Sequence, residues 1–120
     1  MRRTLLIVED TELDRELLVQ IFEELYDIRL APDGKTAFEL AANVPLDLIL
    51  MDIGLPGLSG LDAVRAIRAT GSTVPIIAVS SRVMPGDKER ALDAGCDDFM
   101  AKPIDDLALV EMVDGLLARR

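Results

Sequence analysis

Apolar and polar positions along the chain fall into two alternating rhythms. Short runs with nearly every residue apolar occur at Thr4-Leu5-Leu6-Ile7-Val8, Asp27-Ile28-Arg29-Leu30, Asp47–Met51, Pro75-Ile76-Ile77-Ala78-Val79 and Asp98-Phe99-Met100-Ala101. Runs this short, fenced by Gly, Pro and acidic residues, suit strands covered on both faces. Between them the apolar residues recur at helical spacing. Leu13, Leu17, Leu18, Ile21, Phe22 and Leu25 predict a helix from Thr11 with one apolar face and with Asp10 or Thr11 as its cap. Pro32-Asp33-Gly34 is turn chemistry leading into a second helix through Ala37, Phe38, Leu40 and Ala41. After a Gly54–Gly60 loop, Leu61, Val64, Ala66 and Ile67 predict a third helix ended by Gly71. Pro85 is expected to open a fourth at the first helical position, with Gly95 closing it. Asp105 is expected to cap a fifth that runs through Leu107, Leu109, Val110, Met112, Val113, Leu116 and Leu117.

Five strands alternating with five helices imply an α/β fold, a parallel sheet with right-handed crossovers and helices on both faces. No linker, repeat or low-complexity stretch interrupts the pattern, so residues 1–120 are expected to be one domain. The apolar run Asp47–Met51 delivers Asp52 at its end, and in such sheets ligands bind at the carboxyl ends of the strands. Asp52 is therefore the residue to explain.

Composition narrows the chemistry. Half of the chain is hydrophobic but only 3% is aromatic, so the core must be built from Leu, Ile, Val, Ala and Met. No apolar run approaches the roughly 20 residues of a membrane helix, and the run from Leu5 to Val8 is too short for a signal peptide; a cytoplasmic location is expected. The lone Cys96 excludes an internal disulfide and reads as a small packing residue. With 22 Asp and Glu against 13 Lys and Arg, the net charge is −9, which argues against direct nucleic-acid binding. Histidine is absent, which removes any internal His base or His metal ligand.

The strand ends collect the polar groups that remain. Glu9 and Asp10 follow the first strand, Asp52 ends the third, Ser80 follows the fourth and Lys102 the fifth, all on one rim of the sheet. Each alone has a plain explanation: a capping pair, a turn residue, a polar strand end, a surface lysine. Together three carboxylates would repel one another unless a cation sat among them, and a hard ion such as Mg²⁺ answers that need. Lys102 adds a compact cation for a phosphoryl oxygen and Ser80 a hydroxyl donor. Asp52 is then a carboxylate nucleophile able to become an acyl phosphate, and the Gly54-Leu55-Pro56-Gly57 turn after it is expected to leave its side chain exposed.

These pieces resemble the receiver domain of bacterial two-component response regulators over essentially the whole chain. The resemblance rests on Leu6-Ile7-Val8-Glu9-Asp10, Leu50-Met51-Asp52-Ile53-Gly54-Leu55-Pro56-Gly57-Leu58-Ser59-Gly60, Pro75 to Ser81, and Gly95-Cys96-Asp97-Asp98-Phe99-Met100-Ala101-Lys102-Pro103. It implies a flavodoxin-like, doubly wound (βα)5 fold with strand order 2-1-3-4-5. It implies that Asp52 takes phosphate from a histidine on a histidine kinase or histidine phosphotransfer protein. Glu9, Asp10, Asp52 and the carbonyl of Gly54 would hold Mg²⁺, Ser80 and Lys102 would bind the phosphoryl group, and the Lys102-Pro103 bond would be cis. Such a domain is a switch, not an enzyme beyond slow loss of its own phosphate, with Ser80, Phe99 and Pro103 as switch positions. Phe99 stands where Tyr is frequent and has no hydroxyl to bond, so packing alone would balance its inward and outward states. A downstream protein would dock on the face made by the fourth helix, fifth strand and fifth helix, through Arg82, Met84, Lys88, Arg90 and Phe99.

With the chain ending soon after its last helix, the expectation is a stand-alone regulator similar to those of cell-cycle and phosphorelay circuits. A receiver excised from a hybrid histidine kinase or longer regulator stays open beside it. So does an Asp-dependent magnesium phosphohydrolase, although Gly54 occupies the place where such enzymes tend to carry a second Asp. A flavodoxin-type binder would need a phosphate loop where Glu9-Asp10 would repel phosphate.

Overall fold

Five parallel strands lie in the order β2-β1-β3-β4-β5 in the computed structural model, which describes residues 2–54, 59–81 and 84–119. The strands are β1 (Thr4–Val8), β2 (Asp27–Ala31), β3 (Leu48–Asp52), β4 (Ile76–Ser80) and β5 (Asp98–Ala101). The helices between and after them are α1 (Glu12–Phe22), α2 (Gly34–Asn43), α3 (Gly60–Ala69), α4 (Asp87–Ala94) and α5 (Asp106–Ala118). The expected α/β alternation and strand order hold, with strand limits moved by a residue.

Period-two alternation divides the central strands between two apolar layers. Leu6, Val8, Ile49, Met51, Ile76 and Ala78 belong to a core that α2, α3 and α4 supply with Ala37, Ala63, Val64, Ile67, Ala91 and Ala94. Leu5, Ile7, Leu48, Leu50, Ile77 and Val79 face the other way, onto Leu18 and Phe22 of α1 and Leu109, Val113, Leu116 and Leu117 of α5. Both faces being covered is why these strands read as continuous apolar runs. The same parity sets the polar ends. Asp52 continues the row Leu48, Leu50, and Glu9 continues Leu5, Ile7, so both belong to the α1 and α5 side; Ser80 continues Ile76, Ala78 on the other.

Two helix ends are as expected: Asp105 accepts from the Ala108 N–H at 3.0 Å, and Gly95 ends α4 at φ 121°. Asp33, read as turn chemistry, also caps α2 by accepting from the Thr36 N–H at 2.7 Å. Three local expectations are corrected. Thr11 occupies the N-cap of α1 without a side-chain capping bond; its own N–H donates to Glu9 Oε1 at 3.3 Å instead. The apolar face of α1 is narrower than its leucines suggest, because Leu13 and Leu17 are 65% and 52% exposed and Leu25 lies beyond the helix end. Sharing the sheet face with α5, α1 seats itself on buried Leu18 and Phe22, with Val19 and Ile21 partly buried beside them. Pro85 does not begin α4: Pro85 and Gly86 form a turn in which the Asp87 carboxylate accepts from the Met84 N–H at 2.7 Å. Gly86 takes the N-cap at φ 87°, a left-handed backbone that favours glycine.

Among the described residues no helix is long and apolar enough to cross a membrane. Cys96 is buried in the α2, α3 and α4 layer, and burial pushes its thiol up from 9.0 to about 12. Since the thiolate is the reactive form, native protein at pH 8 should react with iodoacetamide at least ~100-fold more slowly than the urea-unfolded chain. Rate measurement by intact mass checks this, and equal rates would mean that Cys96 is not packed as described.

Candidate functional site

The site grows from the end of β3. Asp52 closes the strand, and its Oδ1 accepts from the Gly54 N–H at 2.8 Å, which bends the chain away and leaves Oδ2 facing the rim. The residue is only 6% exposed, contrary to the expected open side chain. Two neighbours close it in. On its backbone side α3 begins so near that a Cβ at Gly60 would lie 2.4 Å from the Asp52 carbonyl oxygen and 2.5 Å from Ile53 Cα. On its side-chain side stand Glu9 and the Lys102 ammonium, whose Nζ is 3.6 Å from Asp52 Oδ2. Leu55, Pro56 and Gly57 of the expected turn lie outside the described residues, as does Arg82.

Lys102 is brought in by the end of β5. Its N–H donates to the Ser80 carbonyl at 2.7 Å, extending the β4–β5 ladder, and the peptide bond to Pro103 is cis as expected. Nζ donates to Glu9 Oε2 at 2.9 Å and to Asp14 Oδ2 at 2.9 Å. Burial alone would lower this ammonium's pKa, but the bonds to Asp14 and Glu9 with the nearby Asp52 charge raise it, so Lys102 stays cationic. Glu9 is buried, and burial pushes its carboxyl up from 4.5 to about 7, with Asp52 adding to the rise and Lys102 opposing it. Arg15 Nη1 donates to the Glu9 carbonyl at 3.2 Å.

Glu9, Asp10 and Asp52 each offer a carboxylate oxygen within 4.8 Å of the others, Asp10 exposed and the other two buried. Three hard oxygens facing one point suit a hard divalent cation, and they fit Mg²⁺ better than a softer metal. Gly54 is exposed two residues past Asp52. Ser80 is buried at the end of β4, and Phe99 is half-buried against the layer that includes Leu6 and Val8. Met84 is exposed, as are Lys88 and Arg90, the latter paired with Asp87.

Thus four of the sequence-predicted residues, Glu9, Asp10, Asp52 and Lys102, meet at one point, and Ser80 sits one strand away. Asp14 was not foreseen. Its signal was present in the helical period: Asp14 stands four residues before Leu18 and eight before Phe22, on the stripe that faces the sheet.

The response regulator receiver domain family model matches residues 5–114. A probable transcriptional regulatory protein of Picosynechococcus is 35% identical over 97% of this chain and 49% of its own length. The chain spans about half or less of the first curated relatives it matches. The solved receiver domain of sensor histidine kinase PA1611 from Pseudomonas aeruginosa, with a magnesium ion coordinated in its active-site cleft, is 35% identical; the TM-score is 0.90, covering 98% of this chain and 99% of that one. The receiver domain of the Saccharomyces cerevisiae response regulator Ssk1, solved with the histidine phosphotransfer protein Ypd1, is 30% identical with a TM-score of 0.89, covering 98% and 90%.

The close approach at Gly60 can be tested directly. Backbone on both sides cannot swing aside as a side chain can, so Gly60→Ala should destabilise the fold by about 1–3 kcal/mol, the usual cost of overpacking. Urea denaturation measures it. A variant as stable as the parent would show that α3 does not press on Asp52 as described.

Proposed function

The chain belongs to the response regulator receiver domain family, the phosphoacceptor modules of two-component signalling, and from that premise we propose that Asp52 is the acceptor. The donor is a phosphohistidine on a histidine kinase or histidine phosphotransfer protein. The observation that carries the reading is the arrangement around one carboxylate. Asp52 Oδ1 is fixed by the Gly54 N–H, Oδ2 faces the rim, and a lysine held cationic stands 3.6 Å from it.

Asp52 Oδ2 attacks phosphorus as the P–N bond breaks; the imidazole keeps the electron pair and takes a proton from water. No protein base is required, so the absence of histidine is no obstacle. Glu9, Asp10, Asp52 and the Gly54 carbonyl are the residues that would hold Mg²⁺. When bound, that ion supplies positive charge against the transferred oxygens. Lys102 supplies the matching charge from the protein, and the Ser80 hydroxyl donates to a phosphoryl oxygen.

The product is an acyl phosphate carrying roughly two negative charges. That charge draws Ser80 and the segment after β4 inward, and Phe99, half-buried without a hydroxyl to tether it, repacks. The face of α4, β5 and α5, with exposed Met84, Lys88 and Arg90, is the docking surface whose affinity changes. A second reading, in which the chain is the receiver segment of a longer histidine kinase, is favoured by its likeness to the PA1611 receiver. It keeps every residue's role and changes only what the domain is attached to.

The decisive experiment is intact mass after incubation with an acyl- or amidophosphate. The parent should gain one phosphoryl group with Mg²⁺ and little after chelation. Asp52→Asn should fold normally and gain none; equal uptake by that variant would place the acceptor elsewhere. Asp10→Asn should raise the Mg²⁺ concentration needed for half-maximal phosphorylation about tenfold, since it removes one anionic ligand. An unchanged Mg²⁺ dependence would remove Asp10 from the metal site.

A further inference from the structure

Lys102 is held by an acid that the phosphoacceptor chemistry does not use. Asp14 lies in the first turn of α1, and its Oδ2 accepts from the Lys102 ammonium at 2.9 Å. Glu9 Oε2 takes a second N–H at 2.9 Å, while Asp52 Oδ2 stands at 3.6 Å, beyond normal hydrogen-bond length. The ammonium is therefore drawn toward α1, short of the oxygen on which a phosphoryl group would arrive.

The two bonds are not equally hard to break. The Glu9 side chain is 1% exposed, so removing its cation would leave a buried carboxylate that water cannot reach. The Asp14 side chain is 37% exposed and can turn to solvent when the lysine leaves. When Lys102 moves toward a new anion on Asp52, Asp14 is the partner that yields.

We propose, resting on the reading of Asp52 as acceptor, that Asp14 is a positioning residue that restrains Lys102 in the unphosphorylated chain and competes with the phosphoryl group for its ammonium. The restraint keeps Lys102 from closing on Asp52 Oδ2, leaving that oxygen free to attack. It also loosens the pocket's hold on the phosphoryl group by the strength of a partly exposed ion pair, roughly two- to fivefold in affinity.

The test is titration with beryllofluoride, a tetrahedral phosphoryl mimic, at saturating Mg²⁺. Asp14→Ala should bind it roughly two- to fivefold more tightly than the parent at ~50 mM salt. The ratio should fall toward one at about 1 M salt, where exposed charges are screened within roughly 3 Å. Asp14→Glu, which keeps an acid able to reach the ammonium, should restore parental affinity. Glu12→Ala removes the same charge from the opposite side of the same helical turn and should change affinity less than Asp14→Ala. Parental or weaker binding by Asp14→Ala, a gain that ignores salt, failure of Asp14→Glu to restore, or an equal gain from Glu12→Ala overturns the proposal while leaving Asp52 as acceptor. A parent that binds no beryllofluoride defeats the acceptor reading, and this proposal with it.

Discussion

The ion pair between Lys102 and Glu9 is the interaction on which the site depends. Asp52 closes β3 and Glu9 directly follows β1, each after a run of buried apolar residues, so their carboxylates sit where water is scarce and like charge is near. Burial pushes Glu9 up to about 7, with the neighbouring Asp52 adding to the rise. An ammonium at 2.9 Å from Glu9 and 3.6 Å from Asp52 opposes that rise and offsets part of the charge. The compensation is partial, however. One lysine shared among Glu9, Asp14 and Asp52 leaves a net negative cluster, which is the electrostatic condition for taking up a divalent cation and then a phosphoryl group.

The fold serves that cluster through parity and register. Strands paired in parallel with β3 in the centre bring the carboxyl ends of β1, β3, β4 and β5 to one rim, and Asp52 pairs with Val79 while Ser80 pairs with Ala101. Because Asp52 and Glu9 share the α1 and α5 face, they can meet; because Ser80 is on the opposite parity, it approaches from the other side. Gly60 sets the remaining dimension by allowing α3 to start against the Asp52 backbone.

Much of this was legible in the sequence, for identifiable reasons. Strands buried on both faces leave unbroken apolar runs, and Asp33, Asp105 and Gly95 carry cap chemistry that acts within a few residues. Glu9, Asp10, Asp52 and Lys102 could be gathered because parallel strands put their carboxyl ends together whatever the details of packing. What failed depended on distance or rotation. The exposure of Leu13 and Leu17 follows from how α1 shares the sheet with α5, which no local pattern records. Pro85 satisfied the helix-start rule but lost to the Asp87 bond to the Met84 N–H and to the left-handed Gly86. Asp14 was less legible because an acid in the first helical turn, where Glu12 also stands, ordinarily needs no partner beyond the helix dipole.

The distribution of these restraints bears on where a signal leaves the domain. On the α1 side, Lys102 is tied to Glu9 and Asp14, and Phe22 and Leu18 seat the helix on the sheet. α4, by contrast, is the shortest helix and buries only Ala91 and Ala94. Little apolar surface resists its displacement, so it would cost little to move if charge on Asp52 pulled at the end of β4. Phe99 lies beside it on β5, packed by dispersion and not by a hydroxyl bond. A new anion on the rim would therefore act on a structure tied more firmly on the α1 side than on the α4 side, and this asymmetry supports the α4, β5 and α5 face as the proposed output surface.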